Sequence, residues 1–175
     1  LEAVDLGSFK SALRRDYRAA RKQFARESGA AVRKALSQNM LRVIRDLADE
    51  DTQVTVYEPF REEASFNLPP TGQYFFPVVD GEDMNFFTTS RIALDPHRPI
   101  LTFTPAVAAD QFGTRLGLGK GYYDRFFAQF PQALRVAVIF QIQFSKDPLP
   151  VDSWDQPLDW IVTESMILRT STRSP

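Results

Sequence analysis

Phe112 to Phe126 read FGTRLGLGKGYYDRF, and this stretch decides how the rest of the chain is read. Four glycines, Arg115 and Lys120 fall within the nine residues from Gly113 to Gly121, directly ahead of an apolar segment with helical spacing. Glycine lets the backbone turn sharply and lets amide N–H groups approach a ligand with no Cβ in the way. A helix starting at Gly121 or Tyr122 adds unpaired N–H donors and the positive end of its dipole. With two cations beside it, such a loop suits an anion, and a nucleotide polyphosphate is the best match. A strand, a glycine loop and a helix in that order also point to an open α/β sheet with its ligand at the carboxyl ends of the strands.

Better-known glycine motifs do not fit. A Walker A loop needs glycine where Thr114 stands, and Ser or Thr where Gly121 follows Lys120. A dinucleotide fingerprint fails because Tyr122 occupies its third glycine position. What remains is Gly117-x-Gly119-x-Gly121 with Lys120 inside it and Tyr122-Tyr123-Asp124 after it. The competing explanation is a loop whose glycines only permit a tight turn.

Upstream, Leu13, Tyr17, Ala20 and Phe24 predict one amphipathic helix, with Ser8 as cap and Ser28-Gly29 as stop. Val32, Leu36, Met40, Val43 and Leu47 predict a second. The opposite face of the first carries Lys10, Arg14, Arg18, Arg21 and Lys22. A basic face of this kind is ordinarily solvated, and that is the expectation for Arg18, Arg21 and Lys22. Short β-prone runs follow: Val54 to Tyr57, Tyr74 to Val79, Met84 to Phe87 after an Asp80–Asp83 turn, Ile100 to Phe103, Leu134 to Phe140 and Trp160 to Val162. Tyr122, Phe126 and Phe130 predict the helix after the glycine loop, and that spacing is more often core than ligand site.

The chain of 175 residues is expected to form a single domain, 1–175, with 1–7 and 169–175 frayed. A net charge of −1 gives no global case for nucleic acid or anionic membranes. No apolar run approaches a membrane span, nothing at the start reads as a signal peptide, and no cysteine is present for disulfide or zinc–thiolate chemistry. A cytoplasmic setting is expected. His97, the sole histidine, falls in Asp95-Pro96-His97-Arg98-Pro99 and reads as a turn residue, not a catalytic base.

The RLGLGKGYYDRF segment resembles the signature loop of the 5-formyltetrahydrofolate cyclo-ligase family, also called 5,10-methenyltetrahydrofolate synthetases. Lys10-Ser11-Ala12-Leu13-Arg14 is similar to that family's N-terminal K-x-x-L-R, and Leu149 to Asp159, LPVDSWDQPLD, to its LPV-x-x-WD-x-x-LD segment. The resemblance implies a three-layer α/β/α fold with an open, mostly parallel sheet. It also implies ATP- and magnesium-dependent cyclisation of 5-formyltetrahydrofolate, free or polyglutamated, by a monomer that engages neither nucleic acid nor membrane.

Carried over position by position, the resemblance gives Lys120 and Arg115 the catalytic role on the transferred phosphoryl group. Lys10, Arg14, Arg115, Gly117, Leu118, Gly119, Lys120, Gly121, Tyr122 and Tyr123 would bind the nucleotide. Glu63, Tyr122 and Trp154 would contact the folate, although Glu63 also reads as a surface glutamate and Trp154 as packing. Asp124 and Asp159 would share a magnesium ion. Against that, Asp124 could serve the helix dipole, worth about 0.3–1 kcal/mol, and Asp159 could simply enter a strand.

The chain departs from its relatives between about Glu58 and Arg98. Pro59, Pro69, Pro70 and Gly72 fall where the family has a crossover helix, so that helix is expected to be reduced or lost. Pro77-Val78 replaces the usual Pro-Arg, and the acidic segment is Glu62-Glu63-Ala64-Ser65-Phe66. These changes bear on the folate side of the pocket. A non-catalytic nucleotide- or folate-binding relative, or an ATP-dependent transferase with a different acceptor, therefore stays open.

Overall fold

The structure is a computed structural model that describes residues 5–171. Two helices open the chain, α1 (Leu6–Glu27) and α2 (Ala30–Leu47). The α1 helix begins ahead of the expected Ser8, because Asp5 is its cap and its carboxylate accepts from the Gly7 and Ser8 N–H groups. Ser28 ends it as expected.

Strands β1 (Gln53–Thr55), β2 (Tyr74–Asp80), β3 (Asp83–Phe87) and β4 (Ile100–Pro105) follow. Three short elements come next, β5 (Ala108–Asp110), β6 (Arg115–Leu116) and α3 (Tyr122–Gln129). The chain continues through β7 (Leu134–Val138), β8 (Phe144–Ser145), β9 (Trp160–Val162) and β10 (Ile167–Arg169). Seven strands form one sheet in the order β10-β9-β7-β4-β1-β2-β3, while β6-β5-β8 form a small second sheet. The five central strands are parallel, and the outermost pairs, β10–β9 and β2–β3, are antiparallel.

Strand alternation splits the apolar residues between two faces. Val54, Leu101, Phe103, Val136 and Val138 meet Leu36, Met40 and Val43 of α2 on one face. Phe75, Met84, Phe86 and Ile100 meet Phe126 and Phe127 of α3 on the other. This is the expected α/β/α layering with an open, mostly parallel sheet. Residues 56–73, between β1 and β2, contain no helix, so the crossover helix is lost as the prolines required.

At the C-terminus the expected fraying does not begin at 169. Arg169 closes β10, and the N–H groups of Thr170 and Ser171 bond to the Asp159 and Gln111 carbonyls. Residues 5–7, also expected to fray, form the cap and start of α1, and the others, 1–4 and 172–175, lie outside the described residues. No helix among the described residues is long and apolar enough to cross a membrane.

Candidate active site

The centre of the sheet delivers the site. Strand β4 ends at Pro105, the chain reverses through β5 and β6, and the glycine loop 117–121 then leads into α3. Gly121 caps α3 at φ 70°, a left-handed conformation that a side chain would strain. Gly119, at φ 90°, sits against Arg14 of α1, where a Cβ would lie 3.6 Å from the guanidinium carbon. Arg14 Nε donates to the Gly117 carbonyl at 2.8 Å, so α1 braces the loop directly.

Arg115 is the most constrained cation. Its Nη2 pairs with Asp124 Oδ2 at 3.0 Å, its Nη1 donates to the Pro105 carbonyl at 3.4 Å, and its guanidinium lies over the Tyr123 ring at 5.4 Å. Asp124 also accepts from the Gln156 N–H at 3.3 Å. Burial pushes the Tyr123 phenol well above its ordinary range, with the Arg115 cation pulling the other way. Tyr122 and Arg125 fasten α3 to the β2–β3 turn: Tyr122 Oη donates to the Gly81 carbonyl and Arg125 to the Glu82 carbonyl. Lys120 is different, being exposed and without hydrogen bond or ion pair among the described residues.

Two cavities meet at Lys120 and Gly121. The inner one, about 240 Å³, runs from these residues to Arg115, Tyr123, Glu63 and Arg21. The outer one, about 460 Å³, is lined by Asp124, Trp154 and Gln156 together with the shared Lys120 and Gly121.

Trp154, 66% exposed, therefore stands beside Lys120 and Asp124 in the outer cavity, while Glu63 faces the inner one. Of the three expected folate contacts, Glu63 and Tyr122 line the inner cavity and Trp154 the outer one.

Glu63 is presented by a tight turn. Its Oε2 accepts from the Phe60 N–H at 3.0 Å, its own N–H donates to the Phe60 carbonyl at 3.2 Å, and Arg61 between them sits at φ 54°. Burial pushes the Glu63 carboxyl above its ordinary range, opposed by the Phe60 N–H and the Arg21 cation. Lys10 is buried at the other end of α1 and pairs with Asp152 at 2.7 Å and Asp155 at 2.5 Å. Burial pulls its pKa down, yet the two carboxylates leave it raised overall.

The model of the 5-formyltetrahydrofolate cyclo-ligase family matches residues 89–164, which include the glycine loop, α3 and the Leu149–Asp159 segment. A Mycoplasma genitalium 5-formyltetrahydrofolate cyclo-ligase is 26% identical over 118 residues, covering 62% of this chain and 70% of that protein. The solved structure of an Aquifex aeolicus 5,10-methenyltetrahydrofolate synthetase superposes with a TM-score of 0.68 at 25% identity, covering 95% of this chain and 96% of the other. The chain thus resembles the 5-formyltetrahydrofolate cyclo-ligase family in sequence over residues 89–164 and in fold over nearly its whole length. A Mycoplasma pneumoniae 5,10-methenyltetrahydrofolate synthetase, 22% identical, shares the fold with a TM-score of 0.73 over 89% of this chain and 98% of its own.

Two expectations for the site need correction. Asp159 does not join Asp124 in the cavity that Asp124 lines. Its Oδ2 accepts from the Arg135 N–H at 2.8 Å, and its own N–H donates to the Arg135 carbonyl at 2.9 Å. It is a strand-entry clamp between β7 and β9, and no cluster of three metal-ligating side chains occurs among the described residues. Arg21 is not solvated, unlike Arg18 and Lys22: it is 5% exposed and lines the inner cavity. Its spacing was the available signal. Lys10, Arg14 and Arg21 lie 4 and 11 residues along one helix, which places all three within a stripe roughly 40° wide.

Proposed function

We propose that the protein converts 5-formyltetrahydrofolate to 5,10-methenyltetrahydrofolate, consuming ATP and releasing ADP and phosphate. An N-formyl group is a poor electrophile, and ring closure must expel its oxygen. Transfer of the ATP γ-phosphoryl group to that oxygen makes it a leaving group. N10 then attacks the formyl carbon and loses its proton, the C–O bond breaks, and phosphate departs to leave the methenyl cation. This route needs no side-chain nucleophile. The protein has to align the two substrates and neutralise charge on the transferred group.

The observation that carries this reading is the unpartnered Lys120 at the junction of the two cavities, beside the anchored Arg115. Lys120 is free to take up phosphate. The glycine loop braced by Arg14 offers backbone N–H groups at the start of α3. Lys10 lines neither cavity, and its ammonium would reach phosphate only by giving up Asp152 or Asp155. Magnesium, when it accompanies the nucleotide, neutralises phosphate charge. Asp124 is the carboxylate of the outer cavity suited to it, and phosphate oxygens and water would complete the shell. A cytoplasmic monomer is part of the same proposal.

Turnover tests the reading. Folded protein given 5-formyltetrahydrofolate, ATP and magnesium should develop the methenyl absorbance, and omission of ATP should abolish it. Folded protein that never develops that absorbance would rule out the enzyme. Binding of both ligands without turnover would instead favour a non-catalytic relative.

A further inference from the structure

Arg21 and Glu63 are buried, oppositely charged residues that line one cavity, yet they form no ion pair among the described residues. Arg21 Nε is buried without a hydrogen-bond partner, and its guanidinium makes no hydrogen bond among the described residues. A buried charge left in this state costs stability, and it persists where another group completes it. Movement of Arg21 onto Glu63 is resisted from both ends. Arg21 belongs to a 22-residue helix, and Glu63 is held by its reciprocal bonds with Phe60.

We propose that Arg21 is an acceptor-substrate-binding residue that works with Glu63 to hold one amide-type edge. An edge with an N–H beside a carbonyl would donate to the Glu63 carboxylate and accept from the Arg21 guanidinium. A polyphosphate does not suit this end of the cavity, because Glu63 would repel it. A heterocyclic lactam does suit it, and the reduced pterin of the substrate above carries such an edge. The inference rests on that functional reading and extends it to a residue outside the glycine loop.

Calorimetric titration of wild type and Arg21→Met with 5-formyltetrahydrofolate and, separately, ATP provides the test, with thermal melts of both ligand-free proteins. Arg21→Met should weaken folate binding roughly 10- to 100-fold, the scale of a charge-assisted hydrogen bond, and leave ATP binding unchanged. Its ligand-free melting temperature should equal or exceed that of wild type, because an unpaired buried charge is gone. Equal folate affinity in the two proteins overturns the inference, as does a loss confined to ATP. A variant that melts lower shows Arg21 to be structural and also overturns it. Wild type that binds no 5-formyltetrahydrofolate defeats the functional reading itself, and this inference falls with it.

Discussion

The two ends of the inner cavity follow opposite rules. At the loop end, Arg115 is tied to Asp124 and Pro105, Arg14 to Gly117, and the one loose cation, Lys120, stands in water. At the far end, Arg21 and Glu63 are both buried and do not meet. An exposed lysine costs the ligand-free fold little. A buried, unpaired arginine costs it stability that only a ligand restores. The loop end is thus prepared by internal contacts, and the far end by their absence.

The largest effect should come from the anchored cations. Lys10→Met leaves Asp152 and Asp155 without their shared partner, and breaking such a pair costs about 3–5 kcal/mol when fully buried. The carboxylates retain some solvent contact, so about 2–3 kcal/mol is expected, read as a lower urea midpoint. An unchanged midpoint would show that the pair is not structural. Next comes Lys120→Ala, which should weaken ATP by about 1.5–3 kcal/mol and cripple turnover without shifting the melting temperature. Wild-type turnover in that variant would detach the loop lysine from the chemistry.

The two aspartates sharpen the comparison further. Asp124→Asn should raise the magnesium concentration needed for half-maximal turnover. Asp159→Asn should leave that requirement alone and lower stability by about 1 kcal/mol, through a weaker bond to the Arg135 N–H. Equal magnesium shifts in both would restore a shared metal site.

The smallest effect concerns pH. Burial raises the Glu63 carboxyl in the folded protein, so its contribution favours folding below the ordinary carboxylate range and is lost as pH rises through the folded value. Glu63→Gln should therefore match wild type in acid and become the more stable of the two towards neutrality. Melting curves across that range check the sign, and a gap that closes as pH rises would refute it.

Much of the fold was legible because its signals are local. The spacing of Leu13, Tyr17 and Phe24, the prolines at 59, 69 and 70, and the turn at Asp80–Asp83 each announce a backbone outcome. The short strands β5, β6, β8 and β10 were not read from sequence, since two or three residues carry no periodicity. The loop itself was legible from composition. Asp159 was misplaced because the role of a carboxylate depends on which N–H the fold brings to it. Arg21 was misread because a basic helix face looks solvated until another element, here the Phe60–Glu63 turn, covers it.

The missing crossover helix carries a consequence for how the chain folds. A helix between β1 and β2 would form early from local contacts and shorten the search for their parallel pairing. Here residues 56–73 must close as an open loop, whose ordering entropy is lost before Val54 and Tyr74 meet. The β2–β3 hairpin, turned at Gly81 and fastened by β1 on one side and by Tyr122 and Arg125 on the other, is expected to form locally and dock afterwards. Native-state hydrogen exchange should accordingly find this hairpin opening as a unit, at lower free energy than β4 and β7 in the centre of the sheet. Equal protection throughout the sheet would show that the lost helix left the folding order unchanged. The loop that replaces the helix would thus leave the β2–β3 edge as the last part of the sheet to assemble.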